Sequence, residues 1–516
     1  MLNLSMFVEQ SAKENPERTA IICGPGTLTF SQLNSAINQV ANGLTENGLG
    51  KGDHIALSCP NVPYFPIVYQ AILRIGAVVV PLNVLLKPRE IAYHLADSQA
   101  KAYFCFEGTA ELPMANFGMQ GFNRVNTCTH FWTLPAKPGS PSPFPGFETL
   151  EDLTQGQSPV FETVYTSPDD SAVILYTSGT TGSPKGAELS HSNMSLNAMV
   201  CMDILNLKPN DRHVVVLPLF HSFGQTVQMN AGLMKGNTLI LIPRFQPEAV
   251  LDAIQNGGGT VLAAVPTMYW ALLNMPSIET RFDLKIISNN LRLGVSGGAA
   301  LPLELIQDIK NQLDIPVIEG YGLSETSPVA TFNHLHKGLK PGTVGTPIWG
   351  CDVRIVNDQG ALLPAGEIGE VAIKGCNVMK GYFNQPEATE KVFKKTAWFH
   401  SGDLGFLDED GYLTIVDRLK DMIIRGGFNV YPREIEETLL THPAVSLAAV
   451  IGIPDEEYGE EIKAFIVPKA GQNPTPEQIS NWCMAEMAAY KYPRVIEIVE
   501  SLPMTATGKV LKRELK

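Results

Sequence analysis

The chain has 516 residues and a mass of 56.1 kDa, which is more than one hydrophobic core usually supports, so we expect a large body and at least one further domain. Hydrophobic residues make up 44% and charged residues 17%, and this composition excludes a chain that is disordered over long stretches. The formal net charge of −14 argues against a general nucleic-acid-binding protein, because such proteins need a basic surface to displace counterions.

The start of the chain and its cysteines indicate neither secretion nor a structural metal. The first residues lack the basic start and the long apolar run of a secretory signal, and no stretch approaches the roughly 18 apolar residues of a membrane span. The cysteines are scattered without a CxxC pair, which indicates buried, reduced thiols. We therefore expect a cytoplasmic protein that is not an integral membrane protein and binds no nucleic acid.

The first hundred residues alternate between helical and strand patterns. An amphipathic helix is predicted over 30–44 and a strand over 54–59, and a further apolar run covers 72–82. Later apolar runs predict buried strands at 171–176, 214–217 and 238–242. Such alternation predicts an α/β fold in which mostly parallel sheets are covered by helices.

Residues 108–165 interrupt this alternation. They carry many Pro, Gly, Ser and Thr residues with weak hydrophobic periodicity, which is typical of surface segments. We expect a long excursion over the surface, without a core element and as the least ordered part of the chain. The sequence does not indicate its role.

A glycine-rich stretch follows the strand that is predicted to end at Tyr176. It reads Thr-Ser-Gly-Thr-Thr-Gly-Ser-Pro-Lys-Gly from Thr177 to Gly186. Glycines let a backbone approach an anion, hydroxyl groups donate hydrogen bonds, and Lys185 can supply a compensating charge, so the composition is typical of phosphate binding. The stretch is not a Walker loop, because that motif has Ser or Thr directly after the lysine.

The stretch from Tyr176 to Gly186 resembles the signature of the adenylate-forming superfamily, which contains acyl- and aryl-CoA synthetases, peptide-synthetase adenylation domains and firefly luciferase. The resemblance implies a large N-terminal domain of β-sheets covered by helices, with a small β-barrel-like subdomain, followed by a small mobile C-terminal α+β domain. It also implies that the loop binds ATP, with Thr181 acting in catalysis. The implied ATP-binding residues of the loop are Thr177, Ser178, Gly179, Thr180, Thr181, Gly182 and Lys185.

Two later motifs extend the resemblance to the adenosine site. Ser-Gly-Gly-Ala-Ala begins at Ser296 after an apolar run, and Glu-Gly-Tyr-Gly-Leu-Ser-Glu-Thr occupies 319–326. Each places a glycine turn after a predicted strand, where the backbone can lie against a flat ring. The resemblance implies adenine contacts for Gly298, Ala299, Tyr321 and Gly322, and an α-phosphate contact for Ser324 or Thr326.

Three charged residues complete the implied nucleotide site. Glu325 is implied to hold Mg²⁺ and to act in catalysis, which suits the preference of Mg²⁺ for one or two carboxylates together with substrate phosphates. Asp403, in a glycine-flanked turn, can accept hydrogen bonds from both ribose hydroxyl groups, and Arg418 is implied to contact the same ribose.

The resemblance also implies a boundary and a second reaction. Lys420 is implied to be the hinge between an N-terminal adenylation domain, 1–419, and a mobile domain, 420–516. Near the end of the chain, Lys509 is implied to reach the reacting carboxylate and the α-phosphate, where an ammonium group would stabilise the developing negative charge. Rotation about the hinge would then bring in a tunnel for CoA, formed by Arg425, Gly426, Gly427 and Phe428.

The acid is the least constrained part of the prediction. Leu-Pro-Leu-Phe-His-Ser-Phe-Gly at 217–224 aligns with the acyl gate of the family, and His221 is also expected to act in catalysis. The acyl-pocket residues implied by the resemblance are His221, Phe223, Thr267, Gly320 and Gly322. Their apolar and small side chains favour an aliphatic or flat aromatic acid, and the overall pattern is most similar to medium- and long-chain fatty acyl-CoA synthetases.

We therefore predict an ATP- and Mg²⁺-dependent acid:CoA ligase that forms an acyl-adenylate and pyrophosphate, and then a CoA thioester, with a fatty acid as substrate. The alternatives are an aryl-CoA ligase of the 4-coumarate type, an adenylate former that loads a carrier protein, and a luciferase-like oxygenase. A regulatory nucleotide-binding protein without catalysis is disfavoured, because it would not need Lys185, Glu325 and Lys509 together. Whether two copies pair as a homodimer stays open.

Overall fold

The computed structural model describes residues 2–177 and 184–515. Helices α1–α16 span, in chain order, Met6–Glu14, Phe30–Glu46, Tyr64–Arg74, Pro88–Asp97, Met114–Phe122, Leu150–Thr154, His191–Ile204, Ala231–Lys235, Pro247–Gln255, Pro266–Leu273, Ile278–Arg281, Leu284–Asn290, Leu303–Leu313, Pro386–Phe393, Pro432–Leu440 and Pro476–Glu486. A π-helix, Gly224–Asn230, precedes α8.

Strands β1–β26 span Thr19–Cys23, Gly26–Thr29, His54–Ser58, Val78–Pro81, Ala102–Phe106, His130–Leu134, Glu148–Thr149, Ser171–Thr177, Lys185–Ser190, Arg212–Val215, Thr238–Leu241, Val261–Ala264, Leu293–Ser296, Val317–Gly322, Val329–Phe332, Thr346–Pro347, Cys351–Val356, Gly369–Gly375, Gly381–Tyr382, Phe399–Leu407, Leu413–Arg418, Ile423–Arg425, Phe428–Val430, Val445–Asp455, Gly459–Pro468 and Val495–Ile498.

Two large sheets form the body of the protein. One has nine strands in the order β16-β15-β14-β13-β12-β10-β11-β1-β2, and its central strands β14 to β1 run parallel. The other has eight strands in the order β19-β9-β8-β4-β3-β5-β6-β7, parallel except at the β8-β9 and β9-β19 pairs. The predicted fold of mostly parallel sheets covered by helices is confirmed. Binding sites in such sheets lie at the carboxyl ends of the strands.

Helix α2 illustrates how local sequence sets the start of a helix and the face that it buries. Thr29 is its N-cap, and its side chain accepts a hydrogen bond from the backbone N–H of Gln32, while the Gln32 side chain accepts one from Thr29. Leu33, Ile37 and Val40 recur at helical spacing and are buried. The predicted helix over 30–44 is therefore confirmed, with two more residues at its carboxyl end.

The expectation for residues 108–165 was wrong in the middle of the segment. α5 and β6 lie within it, and β6 pairs in parallel with β5 inside the eight-stranded sheet. Trp132 of β6 stacks on Phe104 of β5, with ring centroids 4.9 Å apart. The five-residue run His130–Leu134 is too short to show its period clearly between neighbours rich in Pro, Gly and Ser, so its pairing could not be read locally.

Two smaller sheets follow, antiparallel except for the parallel β25-β26 pair. The expected barrel-like subdomain takes the form of a four-stranded sheet, β17-β18-β20-β21, which ends at Arg418. The next sheet, β23-β22-β25-β24 with β26 beside β25, packs with α15 and α16 around its own hydrophobic cluster. Asp417 accepts a hydrogen bond from the backbone N–H of Arg433 at 2.9 Å, which ties β21 to the first turn of α15. The boundary and hinge at the exposed Lys420 stay predictions.

No helix within residues 2–177 and 184–515 is long and apolar enough to cross a membrane. The cysteines are free thiols, and most of them are buried.

Candidate active site

The glycine-rich loop joins the antiparallel strands β8 and β9, in which Thr177 pairs with Lys185. Ser178, Gly179, Thr180, Thr181 and Gly182 lie outside the described residues. Beyond the loop, the Lys185 ammonium group lies 5.1 Å above the ring centroid of Tyr382. The ring therefore holds the lysine beside the carboxyl end of β8.

Glu325 lies in a single 3₁₀ turn and is buried. Its Oε1 accepts hydrogen bonds from the Tyr382 hydroxyl at 2.9 Å and from the Thr177 hydroxyl at 3.4 Å. Burial and the Glu325 carboxylate both raise the pKa of Tyr382, so the phenol remains a donor. The structure thus brings together two predicted residues, Thr177 and Glu325, and adds Tyr382, which the sequence analysis missed.

The oxygen atoms of Glu325 and Thr177 suit a magnesium ion whose other ligands come from a bound nucleotide and water. The described residues contain no group of three or more Cys, His, Asp or Glu side chains that could hold a metal alone. A single carboxylate beside the Thr177 hydroxyl is the arrangement expected where phosphates and water supply the remaining ligands. When bound there, Mg²⁺ would neutralise phosphate charge.

Asp403, Tyr321 and Arg418 form one group, joined by a hydrogen bond and an ion pair. The Tyr321 hydroxyl donates to Asp403 Oδ2 at 2.6 Å, and Arg418 Nε lies 3.0 Å from Oδ1 of the same carboxylate. The β20-β21 pairing sets Asp403 directly opposite Arg418. Asp403 raises the pKa of Arg418, and burial followed by Asp403 raises the pKa of Tyr321. All three predicted adenosine contacts therefore lie side by side.

The glycine turn after β13 lies next to these residues. Gly298 has φ of +81°, which favours glycine, and Ala299 beside it is exposed. A Cβ at Gly298 would lie 3.5 Å from Lys509 Cε, and one at Gly297 would lie 3.2 Å from the Phe223 ring. The predicted adenine wall, lysine and acyl gate therefore meet at one turn.

Lys509 reaches this turn from the C-terminal segment. Its backbone N–H donates to Thr505 Oγ1 at 3.0 Å, and the Gly508 carbonyl accepts a hydrogen bond from Thr267 Oγ1 at 3.1 Å. Burial and the Arg418 charge lower the pKa of Lys509. The Thr267 contact therefore seats the terminal segment on α10 of the large domain, with the ammonium group in the site.

Gly508→Ala tests this seat. A Cβ at Gly508 would lie 2.8 Å from Thr267 Oγ1 and 2.9 Å from Val265 Cγ2, and φ is +77°. Because a displacement of about 1 Å can slow a reaction roughly 10²-fold, we expect pyrophosphate release to fall by about that factor. The matched control is Gly471→Ala, which has φ of +79° and no heavy atom within 4 Å of the added Cβ. Equal rates of pyrophosphate release in the two variants would contradict a role for the contact between Gly508 and Thr267.

The predicted acyl residues lie close to Lys509. Burial lowers the pKa of His221 to about 4, with a smaller contribution from Lys509, so this imidazole is neutral at pH 7. Phe223 is buried against the Gly297 backbone. A Cβ at Gly320 would lie 2.7 Å from the Phe332 ring, and one at Gly322 would lie 1.9 Å from the Pro328 carbonyl oxygen. Close packing alone thus requires glycine at both of these positions.

The predicted CoA-tunnel residues lie apart from Lys509, on the β22-β23 hairpin. Arg425 forms a two-point ion pair with Glu461, at 2.7 and 2.8 Å, and Phe428 stacks on Tyr490 with ring centroids 4.9 Å apart. Gly426 and Gly427, with φ of +56° and +82°, form the turn of the hairpin. The partners Glu461 and Tyr490 belong to the C-terminal part, so the structure does not bring this group to the site.

Comparisons with known proteins agree with this geometry. The model of the AMP-binding enzyme family matches residues 8–383, and that of the AMP-binding enzyme C-terminal domain matches 434–509. The chain belongs to the AMP-binding enzyme family. It is 36% identical over 515 residues to a feruloyl-CoA synthase of an Amycolatopsis species, covering 99% of this chain and 98% of that protein.

Two further relatives differ in the acid that their names give. A long-chain-fatty-acid–CoA ligase of Bacillus subtilis (strain 168) is 34% identical over 530 residues, covering 99% of this chain and 94% of that protein. The crystal structure of the anthranilate CoA ligase AuaEII with anthranoyl-AMP has a TM-score of 0.91 and 31% identity, covering 99% of this chain and 96% of that one. The present chain, as a member of this family, is an AMP-forming acid–thiol ligase that uses ATP, Mg²⁺ and CoA.

Proposed function

We propose that the chain activates a monocarboxylic acid with an apolar acyl group, a fatty acid being the first candidate. The carboxylate attacks the α-phosphorus of ATP, pyrophosphate leaves, and the resulting acyl-adenylate passes its acyl group to the CoA thiol. The observation that carries the proposal is the position of Lys509, whose Cε would lie 3.5 Å from a Cβ at Gly298. An ammonium group there can stabilise the charge that develops as carboxylate and phosphate approach.

The lining near His221 supports an apolar acid. Phe223 is buried, and it belongs to the same hydrophobic cluster as Val265 and Met268. This lining and the fatty-acid ligase of Bacillus subtilis support the fatty acid as substrate. An aryl acid is the second candidate, because the Gly297 backbone lies next to the Phe223 ring and, without a side chain, would suit a planar group. The feruloyl-CoA synthase supports that candidate.

In the second half-reaction, thioester formation, Lys509 would leave the site and the hairpin with the predicted CoA-tunnel residues would enter it. We propose that rotation about Lys420 withdraws Lys509 and brings the Arg425–Phe428 hairpin to the acyl-adenylate. The ion pair between Arg425 and Glu461 supports this proposal, because both partners belong to the moving domain and the hairpin can travel without losing it. The cytoplasmic location and a homodimer stay predictions.

An assay of product formation tests the function. The protein is incubated with ATP, Mg²⁺, CoA and one of acetate, octanoate, palmitate, benzoate or 4-hydroxycinnamate, while AMP, pyrophosphate and thioester are each quantified. We expect equal amounts of AMP and thioester with octanoate or 4-hydroxycinnamate and little with acetate. Adenylate and pyrophosphate without thioester would favour carrier-protein loading, and oxygen-dependent consumption of the adenylate would favour the luciferase-like reaction. No pyrophosphate with any acid would refute the proposal.

A further inference from the structure

The segment after His221 combines full burial with polar side chains that have no partner. The π-helix Gly224–Asn230 is buried at every residue. Within the described parts of the chain, both amide atoms of Gln225 and the hydroxyl groups of Ser222 and Thr226 are buried without a hydrogen-bond partner. Short π-helices occur frequently at functional sites. A run of such side chains beside a predicted acyl gate therefore calls for a ligand.

Gln225 lies one helical turn beyond His221. Its backbone N–H donates to the His221 carbonyl at 3.1 Å, so the two residues are joined as i and i+4. Side chains with this spacing lie on the same helical face, with Cβ atoms about 5–6 Å apart. A Cβ at Gly298 would lie 3.5 Å from Lys509 Cε and one at Gly297 would lie 3.2 Å from the Phe223 ring, so a carboxylate beside Lys509 would lie near the start of this helix. The amide of Gln225 is then within reach of the acyl group rather than of the carboxylate.

Gln228 lies in the same π-helix and has a structural role with which Gln225 can be compared. It is equally buried and its Oε1 also has no partner, but its Nε2 donates to the Val214 carbonyl at 2.8 Å and so anchors the π-helix to β10. Gln225 makes no such bond. A buried amide without a partner destabilises the fold, whereas an apolar side chain of similar volume would not. No described protein group satisfies the Gln225 amide, which leaves it available to a ligand.

We propose that the Gln225 amide recognises an uncharged hydrogen-bonding group on the acyl part of the substrate, such as a hydroxyl group. This inference rests on the proposed function and narrows it to a preference for acids that carry one such group on an otherwise apolar acyl part. The group must be uncharged, because residues 217–234 contain no Asp, Glu, Lys or Arg and the pKa of His221 leaves its imidazole neutral. A second carboxylate would find no cation on this segment. Dicarboxylic acids are therefore expected to be poor substrates.

Substrate pairs that differ by one hydroxyl group test the proposal. For the wild-type protein we expect kcat/KM in ATP-dependent pyrophosphate release to be about 10-fold to 100-fold higher for 4-hydroxycinnamate than for cinnamate, or for 8-hydroxyoctanoate than for octanoate. Gln225→Met, which keeps the volume, is expected to lower that ratio to about one. Equal kcat/KM values within both pairs for the wild-type protein would overturn the proposal, whatever the variants do.

The control is Gln228→Met. It removes the bond to Val214, so it is expected to lower Tm and to leave the hydroxyl preference unchanged. Gln225→Met is expected to leave Tm of the ligand-free protein unchanged or higher, because its amide has no partner to lose. A lower Tm together with an unchanged preference in Gln225→Met would overturn the proposal. Failure of the proposed function would instead appear as no pyrophosphate with any acid.

Discussion

Replacing Lys509 by alanine is expected to slow acyl-adenylate formation by about 10²–10³-fold, a loss typical of one positioned donor to developing negative charge. Lys509 Cε would lie 3.5 Å from a Cβ at Gly298, and Arg418, Asp403 and Glu325 all act on its charge. These contacts support the proposal that the ammonium group lies where carboxylate and α-phosphate meet. Pyrophosphate release measures this step. Thioester formation from supplied acyl-adenylate and CoA measures the other step, and we expect it to keep most of its rate.

The pH dependence of acyl-adenylate formation separates the effect of the Lys509 charge from the effect of its position. Burial and the Arg418 charge lower the pKa of Lys509, so the ammonium group is complete below this lowered pKa and is lost as the pH rises through it. Pyrophosphate release by the wild-type protein should therefore fall at a pH below the usual pKa of lysine. Lys509→Arg keeps its charge and should remove this alkaline fall, even if its maximal rate is lower. An alkaline fall that is identical in the wild-type protein and in Lys509→Arg would show that another group titrates.

The strongest local patterns were predicted correctly from sequence. The helix over 30–44 was predictable because a capping box and a helical apolar period coincide there. The residues around Asp403 were named from motifs, although Tyr321 lies 82 positions away from it in the chain. Spacing alone does not bring these residues together. The β20-β21 register sets Asp403 opposite Arg418, and contact between two different sheets brings Tyr321 of β14 to Asp403.

The features that the sequence analysis missed depend mostly on pairings between distant parts of the chain. Tyr382 donates to Glu325 only because β19 pairs with β9, more than 190 positions earlier in the chain. The aromatic residue in Gly381-Tyr382 was the available signal, and its short strand offered no period to interpret. β6 was missed for the same reason, since its assignment depends on pairing with β5. Gln225 is one of several uncharged polar residues between 221 and 230, and the sequence does not show that its amide is buried without a partner.

Replacing Asp403 by alanine is expected to raise KM for ATP by about 30-fold or more. Asp403 accepts the Tyr321 hydroxyl at 2.6 Å and pairs with Arg418 at 3.0 Å, and it is itself buried. Losing the charged acceptor of a hydrogen bond costs about 1.5–3 kcal/mol, and the ion pair adds less because the Arg418 side chain is 44% exposed. The variant leaves the Tyr321 hydroxyl without its acceptor, next to the predicted adenosine site.

Asp403→Asn divides this effect into its two parts. The amide oxygen can still accept the Tyr321 hydroxyl, but the attraction to Arg418 is lost, so KM for ATP should fall between those of the wild-type protein and Asp403→Ala. Asp410→Ala is the matched control: its carboxylate is an exposed partner of Lys340 at 3.2 Å, and such pairs contribute little. Initial rates at saturating acid and CoA over a range of ATP concentrations give the three KM values. An Asp403→Ala value within twofold of the Asp410→Ala value would show that the buried carboxylate takes no part in holding the nucleotide.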